Sequence, residues 1–93
     1  MSKPKNNNNT QQKADYFVTC IGEEMFSLRK NHKKSLKTVA KDTKMSPGIL
    51  SKVENGTYYN FCMTRLLRLC KYYNVDIRDV IDRAEFKDRN NVI

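Results

Sequence analysis

The chain has 93 residues, 39% of them hydrophobic, and a formal net charge of +8. That length allows one domain with a modest core. No apolar run is long enough to cross a membrane and Met1 to Gln12 lacks the hydrophobic segment of a signal peptide, so a soluble, cytoplasmic protein is expected. Three cysteines, Cys20, Cys62 and Cys70, are an odd number without CxxC spacing, which argues against a disulfide framework or a zinc module. They are expected to be reduced and in the core or partly buried, and the lone His32 to be solvated rather than a metal ligand.

Residues 1–13 are low in complexity, with four consecutive asparagines, Gln11-Gln12 and three lysines, and have nothing to bury; a disordered tail is expected there. From about Asp15, Phe17, Ile21, Met25 (or Glu24) and Leu28 recur at helical spacing and predict a helix ending near Asn31. Ser35 can cap a second helix in which Leu36, Val39, Ala40 and Thr43 share one side and Lys37, Lys41 and Lys44 the other. Ser46-Pro47 opens a third, since a cap hydroxyl followed by a residue with preset φ and no N–H suits a first turn. That helix can bury Leu50 and Val53 and stop at Asn55-Gly56, where glycine supplies the left-handed conformation. Pro47, Gly48, Ser51, Lys52 and Asn55 are left facing outward. Neither helix is long enough to stand alone in water, so each must lean on another element.

After the connector Thr57-Tyr58-Tyr59-Asn60-Phe61, a helix from about Cys62 to Tyr73 is expected to turn Met63, Leu66, Leu67 and Cys70 inward and to end at Asn74, a residue suited to positive φ. Asp76 can cap a last helix whose Ile77, Val80, Ile81 and Ala84 close the core. Phe86, Val92 and Ile93 exceed what so small a domain buries. They fit either a self-association surface or a frayed tail.

Charge is unevenly placed. Between Arg29 and Lys52 there are eight basic residues against Asp42 alone, whereas acids and bases nearly cancel from Asp76 to Arg89. A basic patch on two short capped helices is the electrostatic footprint of nucleic-acid binding, although lysines also serve as an ordinary solvated face. There is one histidine, no glycine-rich phosphate loop and no nucleophile-base motif, so an enzyme is not expected, nor a cofactor, a metal or a small-molecule ligand.

The run Leu28-Arg29-Lys30, Ser35, Val39-Ala40, Met45-Ser46 and Leu50 to Gly56, continuing through Leu66-Leu67, Leu69-Cys70, Tyr73-Asn74-Val75 and Ile77, resembles the helix-turn-helix of the phage-repressor and Cro-like family over roughly residues 21–81. The resemblance implies an all-α, compact five-helix lambda-repressor-like domain, here 14–86, between the tail 1–13 and a C-terminal tail 87–93. It also implies a repressor that binds double-stranded DNA, acts as a homodimer and lays the helix 46–55 in the major groove. Base contact would fall to Ser46, Pro47, Gly48, Ser51 and Lys52. Phosphate contact would fall to Lys33, Lys34, Lys37, the amides at Leu36, Asn55 and the loop Thr57, Tyr58, Tyr59 and Asn60, unless a loop tyrosine simply packs on the core. In the family the arginine matching Arg29 pairs with the glutamate matching Glu54; two independent surface charges are the alternative. Three departures from the family pattern stand out: Lys44 where the turn has glycine, Leu36 where the first motif helix opens on glutamine, and Pro47-Gly48 where polar base-readers stand. The last favours a rival reading, an antitoxin-like interaction module with weak DNA readout.

Overall fold

Along the first helix the positions that can be buried recur every three or four residues, and they set the axis on which everything else is mounted. The computed structural model describes the backbone of residues 5–58 and 60–90, with side chains from Thr10 onward. It contains α1 (Lys5–Asn31), α2 (Leu36–Thr43), α3 (Pro47–Glu54), α4 (Met63–Tyr72) and α5 (Ile77–Asn90), with no strand among the described residues. Helix α1 packs chiefly on α5 and then on α3, while α2 packs on α3 and α4. No described helix is long and apolar enough to cross a membrane.

Cys20, Ile21, Met25 and Leu28 of α1 are buried, with Phe17 packed beside them. The helix starts at Lys5 rather than near Asp15, so residues 5–13, expected to be an unstructured tail, are helical. Residues 10–14 are nonetheless exposed, as a stretch with nothing to bury must be. Extending a formed helix adds one hydrogen bond per residue fixed and avoids a new nucleus, which is how a polar segment can continue a packed one. Residues 1–4 lie outside the described residues.

Both Met25 and Glu24 turn inward. Met25 enters the core, and Glu24, only 6% exposed, lies between α1 and α5. Arg83 donates to its Oε1 at 2.7 Å, and Lys87 reaches its Oε2 at 2.8 Å and Glu23 at 3.5 Å. Burial pushes the Glu24 carboxyl up, but hydrogen bonds from Lys87 and Arg83 outweigh it and hold the group below its ordinary value. Lys87 therefore belongs to the folded domain, and a boundary at 86 falls inside α5, which continues to Asn90. Asp76 caps that helix: its Oδ1 accepts from the Arg78 N–H at 2.8 Å, and the Arg78 guanidinium helps hold the carboxyl at about 2. Val80 and Ala84 are buried, with Ile77 and Ile81 packed on the core, whereas Phe86 is 63% exposed. Val92 and Ile93 lie outside the described residues.

Helix α4 differs from expectation in rotation. Leu66, Leu69 and Cys70 face the core, but Met63 and Leu67 are 58% and 38% exposed. The reason is Tyr73, the largest fully buried side chain, whose ring lies 5.1 Å from His32 and 5.2 Å from Tyr72. Leu66, Leu69, Cys70 and Tyr73 follow i, i+3, i+4, i+7, and that stripe carries Met63 and Leu67 round to its edge. Cys62 is exposed, unlike Cys20 and Cys70, because it occupies the N-cap of α4 with extended backbone. There the backbone N–H of Arg65 and the arginine's charge pull its thiol below the usual range.

Helices α1 and α3 approach each other closely at Gly22. A Cβ there would collide with the Val53 carbonyl oxygen and crowd the Gly56 nitrogen at 3.2 Å, all backbone. Glycine is the residue that lets the two helices touch.

Two outcomes test this packing. Gly22→Ala must push α3 off α1 and is expected to cost about 3 kcal/mol, read as a large fall in Tm. Because the folded Glu24 pKa is depressed, its contribution is present above the ordinary carboxylate range and is lost as pH falls through the folded value. Urea melts of the natural chain and Glu24→Gln should differ most near neutrality and converge as pH falls below the ordinary carboxylate range.

Candidate nucleic-acid interface

Each of the two short helices is held at its start by a serine. Ser35 has extended backbone and its hydroxyl oxygen accepts from the Thr38 N–H at 3.0 Å. This leaves the N–H groups of Leu36 and Lys37, in the first turn of α2, without an intrahelical acceptor, so they are available to an anion. Ser46 accepts from the Ile49 N–H at 3.1 Å, and Pro47 follows in the first turn of α3.

The ends are equally regular. Met45 N–H bonds Ala40 O at 3.0 Å and Thr57 N–H bonds Lys52 O at 3.0 Å, the six-residue closure that places the intervening residue in the left-handed region. Gly56 fills that position after α3 with φ 73°, while Lys44 fills it after α2 with φ 60°. The same closure follows α1 and α4, with Lys33 and Asn74 at φ 56° and 59°. Lys33 and Lys44 adopt a conformation that costs about 1 kcal/mol in a residue with a Cβ. In exchange, each turn places its ammonium in solvent beside the motif.

Helix α3 divides cleanly. Leu50, Val53 and Glu54 are buried; Ser46, Pro47, Gly48, Lys52 and Asn55 are exposed, and Ser51 is partly so. Nothing lies within 4 Å of a Cβ built on Gly48. Asn55 Nδ2 reaches Ser51 Oγ at 3.5 Å, and the Thr57 hydroxyl donates to Lys52 O at 3.4 Å. In the connector Tyr58 is half-buried against Phe61, ring centroids 6.3 Å apart, and its hydroxyl accepts from Arg65 at 3.5 Å, whereas Thr57 and Asn60 are exposed. Tyr59 lies outside the described residues.

Glu54 is buried because Arg29 meets it. The guanidinium donates through Nε to Oε2 at 2.8 Å and through Nη2 to Oε1 at 3.0 Å, and its Nη1 caps the Lys34 carbonyl at 3.0 Å. The side chains are only 12% and 5% exposed, and the Glu54 carboxylate is the main cause of the raised Arg29 pKa. One arginine thus joins α1, the corner before α2 and the end of α3. A second clamp, which the sequence reading missed, comes from α4: Arg68 donates to the Thr43 carbonyl at 3.2 Å and the Tyr72 hydroxyl to Asp42 at 2.6 Å.

These bonds decide the electrostatics. Of the eight bases between Arg29 and Lys52, Arg29 is neutralised internally. The seven lysines, Lys30, Lys33, Lys34, Lys37, Lys41, Lys44 and Lys52, are exposed, and none makes an ion pair among the described residues. Asp42, the only acid in the stretch, is occupied by Tyr72. No group of side chains that could hold a metal ion is found among the described residues, and the His32 Nδ1 lies 2.8 Å from Leu28 O.

Two capped helices joined by a tight left-handed turn, the second braced from behind and bare in front, define a helix-turn-helix. The model of the Cro/C1-type HTH DNA-binding domain matches residues 27–85, nearly two thirds of the chain, and the chain belongs to that family. No curated protein and no solved structure matches it. Glu24 and Lys87 fall just outside the matched span, so the clamp between α1 and α5 frames the family domain.

Arg29→Ala is expected to leave Glu54 buried without a partner and to cost about 3 kcal/mol. An unchanged Tm for Arg29→Ala would show that the pair carries no stability.

Proposed function

We propose that this protein is a transcriptional repressor that binds duplex DNA as a homodimer on a two-fold operator, with α3 in the major groove. The observation that carries the reading is the set of seven lysines around α2 and α3 that have no internal counter-charge, beside an α3 face with no protein packed on it. Phosphate positioning falls to the Leu36 and Lys37 amides, to Lys33, Lys34 and Lys37, and to Asn55, Thr57 and Asn60. Tyr58 contributes less, because half of it is committed to Phe61.

At the base edges, Pro47 and Gly48 offer no polar side-chain group; Pro47 can touch a thymine methyl, and Lys52 can donate to guanine O6 and N7. Sequence preference then leans on Lys52, on Ser46 and Ser51, and on DNA shape. The rival reading, an antitoxin-like interaction module, is favoured by that same bare Pro47-Gly48 surface. Salt separates the two. Counterion release by about four to six phosphate contacts per subunit lowers duplex affinity by orders of magnitude between ~50 and ~200 mM salt, and affinity indifferent to salt contradicts the DNA reading.

Profiling on one duplex library tests the assignment of roles. Lys52→Ala is expected to cost about 1–3 kcal/mol on the preferred duplex and to relax one base pair, while Lys37→Ala weakens all duplexes alike. A uniform loss in Lys52→Ala would make that residue another phosphate contact.

A further inference from the structure

Helices α4 and α5 touch each other and both turn mixed apolar and charged faces to solvent. On α4, Arg68 and Tyr72 reach to α2, which leaves Met63 and Leu67, one turn apart and 58% and 38% exposed, with Thr64 and Lys71 beside them. The helix carries Arg65, Arg68 and Lys71 and no acid. On α5 the signs are reversed. Phe86, 63% exposed, stands next to Asp82 and Glu85, with Asp79 a turn earlier. None of these three acids makes an ion pair among the described residues, while the helix's bases are largely committed: Arg78 to Asp76, Arg83 to Glu24, and Lys87 to Glu23 and Glu24, leaving Arg89 in the last turn.

An apolar face flanked by bases on α4 and an exposed phenylalanine flanked by acids on α5 are complementary to each other in a second copy. A two-fold interface is self-complementary, so a residue pair made once is made twice. Stacking α4 on α4 would oppose bases, and α5 on α5 would oppose acids, each penalised by like-charge contact. We propose that two copies pair reciprocally, the Met63–Leu67 face of α4 on each protomer against the Phe86 face of α5 on the other. This inference rests on the two-copy reading given above and assigns its surface. It places Lys71 opposite Asp82 and Glu85, and it leaves α2 and α3 of both protomers free for the duplex.

Charge exchange tests it. One variant carries Thr64→Glu with Lys71→Glu, and the other Asp82→Lys with Glu85→Lys; all four positions are exposed, and circular dichroism checks that helix content is kept. The natural chain should sediment as a dimer. Each variant alone should dissociate, with self-affinity at least about tenfold weaker, and an equal mixture of the two should dimerise again. Leu67→Asp, which removes apolar contact instead of charge, should also dissociate the natural chain. A natural dimer that survives either charge variant, or a mixture that fails to restore it, overturns this interface and leaves the two-copy reading standing. A natural chain that is monomeric even on DNA overturns both.

Discussion

The contact between α1 and α3 is the constraint on which the rest depends. An eight-residue helix is not stable in water by itself. Here α3 has two devices holding it to α1: Gly22, which lets the backbones meet, and the Arg29 fork, which captures Glu54 in a nearly dry site. Leu50 and Val53 add the apolar contact. The devices act on the rear and the end of α3 and leave Pro47 and Gly48 at its start exposed. A helix that must present one face to a large ligand needs its support from behind.

The same bonds explain where the charge goes. Arg29 is spent on Glu54, Arg68 on the Thr43 carbonyl, and Arg83 on Glu24. The arginines with buried or fixed acceptors are thus structural, as their planar donor geometry suits, whereas the lysines of the motif have no acid to meet. Lys33 and Lys44 stand at helix ends in a strained backbone conformation where glycine would be easier. The two turns give up some stability and gain positive charge at the corners of the helix-turn-helix.

How much of this could be read from the sequence varies by the range of the interaction. Ser35, Ser46-Pro47, Gly56, Asn74 and Asp76 announced helix ends because a cap is a local hydrogen bond between near neighbours. Lys44 at positive φ followed from its place in the motif, but Lys33 did not, since lysine carries no such preference. The apolar stripes of α1, α2 and α5 were legible from periodicity. In α4 periodicity alone allowed two rotations, and Tyr73, read as the end of the helix rather than as its deepest residue, decides between them. Glu24 was legible only as an alternative to Met25: its partners lie 59 and 63 positions away on α5, and only their arrival makes an inward carboxylate tolerable. Gly22 gave no local signal, because a glycine inside a helix reveals nothing of the backbone that will cross it. At the interface, the identity of the outward residues on α3 was legible, but that the seven lysines make no ion pair among the described residues became visible only in three dimensions.

If α3 is held as an extension of α1 rather than as a separately stable piece, the two must open together. Native-state hydrogen exchange on the natural chain measures this directly, by comparing the opening free energy of the α3 amides Leu50 to Val53 with that of Ile21 to Met25 in α1. The account predicts one shared opening free energy for both sets under increasing denaturant. Opening of α3 at a much lower free energy, with α1 still fully protected, would contradict it.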